Sequence, residues 1–295
     1  IEHSNYLIHC NRGLYRKGDV FKIYNQQTID ADDRIIKSDT LLMDIKKNCN
    51  YFYNNVEIMI DSETYIIGTH VKQKDQYSYI YDDCYIKLFH ELDSTMISGD
   101  TIKINDQEKK IEIINNVIIQ GEDLEGSCQN MQFTNNYKDI YMYDNPVLWI
   151  KETQITGDEI ELYIIENNLD SIYIPKNPFI ISTYDSLKYY NQIIGKTLHG
   201  KFRSNQIEYI MLEGNSKMKY FEQNKEEISI VGLNNIEAGK IKVLFEAKKT
   251  QKVSCTNQIE SDYIELHRDQ SKEKNKKLLY FTGFQLIKRP FNQNK

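Results

Sequence analysis

Alternation of apolar and polar residues with a period of two runs through most of the chain. In ITGDEIELYIIENN (155–168) the apolar residues Ile160, Leu162 and Ile164 alternate with polar ones, and EKKIEIINNVIIQ (108–120) alternates on both sides of an Asn-Asn turn. A period of two puts successive side chains on opposite faces of a strand, whereas the 3.6-residue period of an amphipathic helix is scarce here. The pattern therefore predicts many short strands joined by polar turns.

Two sequence anchors recur about every thirty residues and interleave along the chain. The first is a small residue that a polar one usually follows, at Ser38-Asp39, Gly68-Thr69, Gly99-Asp100, Gly126-Ser127, Gly157-Asp158 and Gly195-Lys196. The second is a polar turn before an apolar run, in NNVEIMI (54–60), DDCYIKL (82–88), NNVIIQG (115–121), DNPVLWI (144–150) and KNPFIIS (176–182). Simple alternation of turns and strands does not predict two anchors that stay in phase. We therefore interpret the chain as an all-β stack of hairpin-like units, with about five to seven repeats of roughly 30 residues.

Composition and charge narrow the class of protein. A chain of 295 residues with 40% hydrophobic residues is long enough to bury a substantial core. The net charge is -6, so the chain as a whole lacks the excess of basic residues that nucleic-acid-binding proteins carry. No nucleic-acid partner is therefore predicted. No run of 18 apolar residues occurs, so we expect no transmembrane segment.

The five cysteines show no metal-type spacing. Cys49, Cys84 and Cys128 lie in apolar or strand-like stretches, which favours small buried side chains over a disulfide framework. Whether any pair forms a disulfide stays open at this point.

The sequence carries no catalytic signature of the common hydrolase, nucleotide-binding or zinc-enzyme types. Asp39, Asp100 and Asp158 follow the small anchor residue, and two interpretations apply to them. They are either turn residues that bond backbone groups, which we favour, or carboxylates lined up along a β-helix as in polysaccharide-cleaving enzymes. We predict no catalytic residue, no metal site and no cofactor.

A family resemblance rests on the repeat motifs. ISGDTIKI (97–104), ITGDEIELY (155–163) and INNVIIQG (114–121) resemble the repeat of the OstA-like family, found in LptA-type proteins and in the periplasmic portion of LptD-type proteins. The order of DNPVLWIKETQITGDEIELY, IYIPKNPFIIS and the later GFQLIKRPF is similar in particular to the long OstA-like proteins of Bacteroidota.

The resemblance implies a fold, a function and partners. The implied fold is an open β-jellyroll, a folded-over, solenoid-like stack of two sheets with a groove between them. The implied function is non-enzymatic carriage of lipopolysaccharide to the outer membrane, with the acyl chains of lipid A held in an apolar groove. The expected partners are lipopolysaccharide and other Lpt-type components, or a second copy through edge-strand pairing. The implied location is the periplasm, with a signal peptide either removed or not included.

The apolar runs supply candidate groove residues. We expect the following side chains to point inward and contact lipid: Val117, Ile119, Val147, Trp149, Ile160, Leu162, Phe179 and Ile181. Two other functions remain open, a structural β-repeat scaffold without a ligand and, with less support, a β-helix enzyme acting on polysaccharide. A packed interior favours the scaffold, whereas an open apolar channel favours the carrier.

The two ends of the chain differ in character. We predict a β-repeat domain over 1–265 and a C-terminal part over 266–295, in which HRDQSKEKNKK (267–277) is a solvated charged turn. The apolar piece LLYFTGFQLIKRPF (278–291) is expected to dock as an end cap. NYLIHCNRGLY (5–15) is an alternating strand without Pro and with little charge, which predicts an unprotected edge that pairs with a partner.

Overall fold

The structure, a computed structural model, describes residues 2–3, 6–16, 19–30, 34–89, 94–122, 124–166, 168–184, 189–203, 206–224, 229–246, 249–266 and 279–290. Strands account for most of these residues, and within these ranges no helix is long and apolar enough to cross a membrane. The chain divides into two compact units, residues 1–142 and 143–295, each with its own buried core.

Unit 1 contains thirteen strands in its described part. They are β1 (Glu2–His3), β2 (Tyr6–Arg16), β3 (Val20–Asp30), β4 (Ile35–Asp44), β5 (Cys49–Met59), β6 (Thr64–Lys74), β7 (Tyr77–Tyr81), β8 (Tyr85–Phe89), β9 (Ser94–Ser98), β10 (Thr101–Asn105), β11 (Lys110–Gln120), β12 (Leu124–Thr134) and β13 (Asp139–Tyr143), whose last residue already belongs to unit 2.

The strands of unit 2 follow in the same manner. They are β14 (Val147–Ile150), β15 (Thr153–Thr156), β16 (Glu159–Ile165), β17 (Asn168–Ile174), β18 (Phe179–Tyr184), β19 (Tyr189–Ile194), β20 (Thr197–Arg203), β21 (Gln206–Asn224), β22 (Ser229–Glu246), β23 (Lys249–Thr256) and β24 (Glu260–Glu265).

Strands of unit 1 change partners at a corner in the middle of the long strands. The second half of β6 pairs with β7, while its first half pairs with β8. β7 continues to β10 and β8 to β9, and both series meet again on the two halves of β11. We call the series through β7 and β10 ladder 1, and the series through β8 and β9 ladder 2. The predicted all-β, folded-over stack of two sheets is confirmed within this unit.

Unit 2 has the same two-ladder organisation. Its ladder 1 runs through β16, β17 and β20 to the first half of β21, and then to β22 and β23. Its ladder 2 runs through β14, β15, β18 and β19 to the second half of β21, and then to β22 and β24. The predicted domain boundary at 265/266 stays a prediction.

The inner face of each ladder in unit 1 is a row of apolar side chains that pair strand by strand. The row of ladder 1 is Ile23, Leu41, Phe52, Val71, Ile80, Ile102, Ile113 and Met131. The row of ladder 2 is Ile36, Ile58, Ile66, Ile86, Ile97 and Ile119. Every member is at most 2% exposed, so the two rows form the core of the unit. Cys49, Cys84 and Cys128 are buried thiols that form no disulfide, as expected from their sequence context.

The small-residue anchor marks places where the neighbouring strand covers the backbone. A Cβ at Gly99 would lie 2.5 Å from Cγ2 of Ile113, and Gly68 and Gly157 are covered in the same way by an isoleucine of the next strand. A larger residue would therefore push the strands apart. Gly126 is the exception, since it lies on the inner row of ladder 2 and not at a corner, so its assignment to this anchor is wrong.

In four of its five copies the polar anchor supplies two consecutive residues with positive φ, which turn the strand from one ladder into the other. They are Asn54-Asn55, Asp82-Asp83, Asn115-Asn116 and Asp144-Asn145. Asn and Asp are the non-glycine residues that adopt this left-handed conformation most readily. The abundance of Asn at these positions therefore has a conformational cause.

Candidate functional site between the two ladders

Val117 and Ile119 lie on the inner face of ladder 2 in unit 1, as predicted. Val117 is the first residue after the corner at Asn115-Asn116, and the side chains are 1% and 2% exposed. Ile119 pairs with Ile97 on one side and with Gly126 on the other. The missing side chain at Gly126 leaves the end of this row with less apolar surface than its middle.

Ile160 and Leu162 occupy the inner face of ladder 1 in unit 2. Leu162 pairs with Ile172, which in turn pairs with Gly200. Ile160 and Ile172 are both buried. The inward direction predicted for Ile160 and Leu162 is therefore observed. Their role in lipid binding stays a prediction.

Four other predicted groove residues lie on the outer face of ladder 2 in unit 2, so their expected inward orientation is not observed. They are Val147, Trp149, Phe179 and Ile181. The inner row of this ladder is formed instead by their neighbours, which pair in register across the strands: Leu148, Ile155, Ile180 and Ile193. The prediction placed the inner row one residue too late in two repeats.

The sequence contained the signal that gives the correct face. Alignment of the polar anchors puts Pro146 and Pro178 in the slot of Val117, the first inward position after the corner, and both prolines are buried. Counting two residues onward from that slot gives Leu148 and Ile180, just as it gives Ile119. Val147 and Trp149 were predicted to point inward because they are apolar. They lie on the outer face instead, and the C-terminal segment covers that face.

The interior of unit 1 is packed in this structure. The side chains of the inner rows are almost fully buried. The recess near the corners is polar and open to solvent. That recess has a volume of about 510 Å³ and is lined chiefly by His9, Cys10, Lys37, Asp39 and Asn55. It lacks the apolar walls that an acyl chain requires.

A buried ion pair joins the two ladders of unit 1 on the side opposite the corners, which we call the mouth. Arg34 immediately precedes the ladder-2 half of β4, and Asp106 immediately follows β10 at the end of ladder 1. The guanidinium donates two hydrogen bonds to the carboxylate, of which Nη2 to Oδ2 measures 2.9 Å. The side chains are only 7% and 15% exposed, so both charges are largely removed from water.

The anchor aspartates form hydrogen bonds within the corners. Asn116 Nδ2 donates to both carboxylate oxygens of Asp100, at 3.2 and 3.0 Å, and Asn55 donates to Asp39 at 2.9 Å. In the parts of the chain that the structure describes, no group of three or more His, Cys, Asp or Glu side chains is placed to hold a metal ion. The geometry thus supports a structural role for these carboxylates.

Comparison with known proteins gives one family match. Residues 35–168 match the family model described as "LptA/(LptD N-terminal domain) LPS transport protein". The resemblance to the OstA-like/LptA family is thereby confirmed for this segment, and the expectation of a non-enzymatic protein agrees with a family of transport proteins. Among curated proteins, none matches the chain.

One solved structure is similar over part of the chain. It is LptH, described as the LptA homologous periplasmic component of the conserved lipopolysaccharide transport device from Pseudomonas aeruginosa. The two sequences are 14% identical, the match covers 38% of this chain and 82% of LptH, and the TM-score is 0.34.

Proposed function

We propose that this protein is a non-enzymatic component of lipopolysaccharide transport that shelters the acyl chains of lipid A between its two ladders. The observation that carries the proposal is the pair of inward apolar rows in unit 1, most of which lies in the segment that matches the LptA/LptD N-terminal family. The periplasm is the compartment in which such a carrier acts, and we place the protein there as part of the same proposal.

Energetics explain why such a carrier needs an apolar interior. Exposing one methylene group to water costs about 0.8 kcal/mol, so a fourteen-carbon acyl chain costs on the order of 10 kcal/mol. Rows of isoleucine on both ladders offer a surface of the required chemistry. The corner residues, such as Asp100 and Asn115, are polar and exposed, which keeps the loaded protein compatible with water.

The packed interior means that the ladders must separate before lipid binds. Corner hydrogen bonds, such as that from the Asp100 N–H to the Asn115 carbonyl at 3.0 Å, hold the ladders together on one side. On the mouth side the Arg34–Asp106 ion pair is a contact between the ladders. We therefore propose that lipid enters through the mouth, with the corners acting as the hinge.

Photo-crosslinking with matched neighbours tests the proposal. A photoreactive residue replaces Ile119 or Leu148, which face inward, and in separate variants Ile118 or Trp149, which lie next to them on the opposite face. After expression in a lipopolysaccharide-producing host, we expect lipopolysaccharide adducts at the inward positions and none at their neighbours. Equal adducts at both positions of each pair, or none at all, contradicts the proposal.

A structural scaffold without a ligand is the second candidate function, and the packed interior is the observation that favours it. Native mass spectrometry of the purified protein separates the two candidates. Co-purified lipopolysaccharide supports the carrier, whereas a protein that stays lipid-free after expression in the same host supports the scaffold.

The partners follow from the free edge of unit 1. On one side β2 pairs with β3, and on the other side the described part of the chain contributes only the two residues of β1, opposite Tyr6 and Leu7. Tyr15 belongs to the inner face at this edge and is nevertheless 60% exposed. We propose that an Lpt-type component or a second copy adds a strand here, which would cover Tyr15.

A further inference from the structure

The C-terminal segment crosses the outer face of ladder 2 in unit 2. We call residues 279–290, LYFTGFQLIKRP, the strap. Its beginning lies against β19 and β21, and its end lies against β15 and the turn that precedes it, so it runs across the strands. The expectation of a cap at the end of the stack is thereby corrected, while the charged run 267–277 lies outside the described residues.

Two buried glutamines hold the main chain of the strap in the same way. Gln192 Nε2 donates to the Leu279 carbonyl at 3.1 Å, and its Oε1 accepts from the Phe281 N–H at 2.8 Å. Gln154 repeats this geometry six residues further along the strap, with both distances at 2.9 Å. Each amide therefore binds the carbonyl of one residue and the N–H of the residue two positions later.

This arrangement is a built site for a peptide main chain with two short extended stretches, which a turn from Phe281 to Phe284 joins. A carbonyl and the N–H two residues later lie on the same edge of an extended chain, where a neighbouring strand would bind them. Gln192 is 0% exposed and Gln154 is 6% exposed, so water reaches their side-chain amides only when the strap leaves this face. Buried amides left without partners destabilise a protein, and the face is thus shaped to be occupied.

Side chains of the strap add contacts of a more specific kind. The Lys219 ammonium lies 5.1 Å from the centroid of the Phe281 ring, and the Tyr190 and Phe284 ring centroids are 5.6 Å apart. Gly283, with a φ of +90°, brings the backbone close to Phe179. The preferred ligand is therefore a segment with a turn, in which aromatic residues lie three apart with a glycine between them.

We propose that this outer face is a peptide-binding site and that the strap is its tethered, displaceable ligand. Residues 267–278 separate the strap from the last strand and reach about 40 Å when extended. A tether of that length gives an effective concentration in the millimolar range, which keeps the site filled in cis without making the strap part of the sheet. The site is separate from the space between the ladders and does not rest on the proposed function.

The experiment cuts the tether of the full-length protein. A recognition sequence for a specific protease is placed within 267–278, and the cleaved protein is diluted while Trp149 emission is recorded. Trp149 is the single tryptophan and lies on the covered face opposite Gln154, so we expect a red shift as the strap dissociates. Adding a synthetic 279–290 peptide should reverse the shift, and the uncleaved protein should bind that peptide at least about a hundredfold more weakly.

Changes in the peptide test the glutamine contacts without altering the protein. N-methylation at Phe281 or Ile287 removes the N–H that a glutamine binds, and each should weaken binding about tenfold. N-methylation at Leu286, which is half exposed, serves as the matched control and should have little effect. A peptide that fails to restore Trp149 emission, or one that binds equally well with any of the three modifications, overturns the proposal.

Discussion

The side-chain amide of Asn177 donates hydrogen bonds to both carboxylate oxygens of Asp158, each at 3.0 Å. The same bond joins Asn116 to Asp100 in unit 1, and at both corners the aspartate N–H also donates to the carbonyl that precedes the asparagine. The two anchors of the sequence repeat are thus the two halves of one corner. The two anchors stay in phase because the small residue and the Asp after it contact the polar corner residues of the neighbouring strand.

Replacing Asp158 with Asn should reduce the free energy of unfolding by about 1 kcal/mol or less, because the hydrogen bonds lost are exposed to water. The Asn177 hydrogen bonds, with help from Lys176, hold the pKa of Asp158 below its ordinary value. A depressed pKa adds stability at pH values above the unfolded-state pKa, and this stability is lost as the pH falls through the folded-state pKa. Urea unfolding from pH 7 down to pH 3 should therefore show a smaller difference between the two proteins at the acidic end.

The Asp100→Asn and Asp158→Asn double variant also tests the enzyme alternative. If the corners are structural, neither the parent protein nor the variant cleaves polysaccharide. Cleavage by the parent that the double variant loses would contradict the structural role.

Replacing Gly157 with Ala should destabilise unit 2 by about 1–3 kcal/mol, because the new methyl group overlaps the Cγ2 of Ile174. Gly13→Ala is the matched control, since a Cβ there has no heavy atom within 4 Å and the backbone has no positive φ. The control should unfold at the parent's urea concentration or slightly above it. Equal midpoints for both variants would show that the close approach at Gly157 has no energetic effect.

Local sequence information predicted the strands and the polar positions at which the chain bends. It interpreted those positions as turns between two strands, whereas Asn54-Asn55 and Asn115-Asn116 lie inside β5 and β11. Period-two alternation gave the strand class, and the anchors gave the repeat, because each depends on residues close together in the chain. The inner face was predicted correctly at Val117 and Ile119, and missed at Val147 and Trp149. An apolar side chain shows that a residue is covered but does not show by what, and here the cover is a segment more than a hundred residues away.

Contacts between distant strands lay beyond the sequence pattern. Arg34 and Asp106 are 72 positions apart, and nothing near either residue marks it as one half of a buried pair. Gln154 and Gln192 read as ordinary polar positions of alternating strands. Only the fold shows that both are buried and bind the same C-terminal segment.

Removing one member of the ion pair at the mouth should be strongly destabilising. Arg34→Met or Asp106→Leu removes one half of a largely buried ion pair, and we expect a loss of about 3–5 kcal/mol. The double variant should recover most of that loss, because replacing a buried pair by apolar residues is often neutral or stabilising. A double-mutant cycle from urea unfolding measures the coupling, and additive losses would show that the pair does not hold the ladders together.

The stability of unit 2 should depend on the charge of Lys219. Burial lowers the pKa of its ammonium below the ordinary value, while Nζ donates to Asn235 Oδ1 at 2.7 Å. Between the folded-state pKa and the unfolded-state pKa the unfolded chain binds more protons, so stability rises with pH in that window. Unfolding midpoints of the parent protein should therefore increase relative to those of Lys219→Met between pH 7 and pH 10. A constant difference across this range would contradict the shift.

The last prediction concerns the edge at β2. An unpaired edge strand presents a row of N–H and C=O groups that a second chain can bind, and β2 has neither Pro nor a described strand covering residues 8–16. Leu7, Leu14 and Tyr15 are also 38–60% exposed, which adds apolar surface for a partner to bury.

We therefore expect Pro at Leu7 or at Cys10 to weaken self-association or partner binding, because the two positions direct their N–H groups to opposite sides of the strand. At Leu7 the side away from β3 is already paired with β1. Association should therefore be lost where the missing N–H lies on the uncovered side, whereas the other variant mainly weakens pairing within the sheet. Sedimentation velocity over a range of concentrations measures association, and circular dichroism reports the fold. Association that survives both substitutions in folded protein would rule out this edge as the docking site.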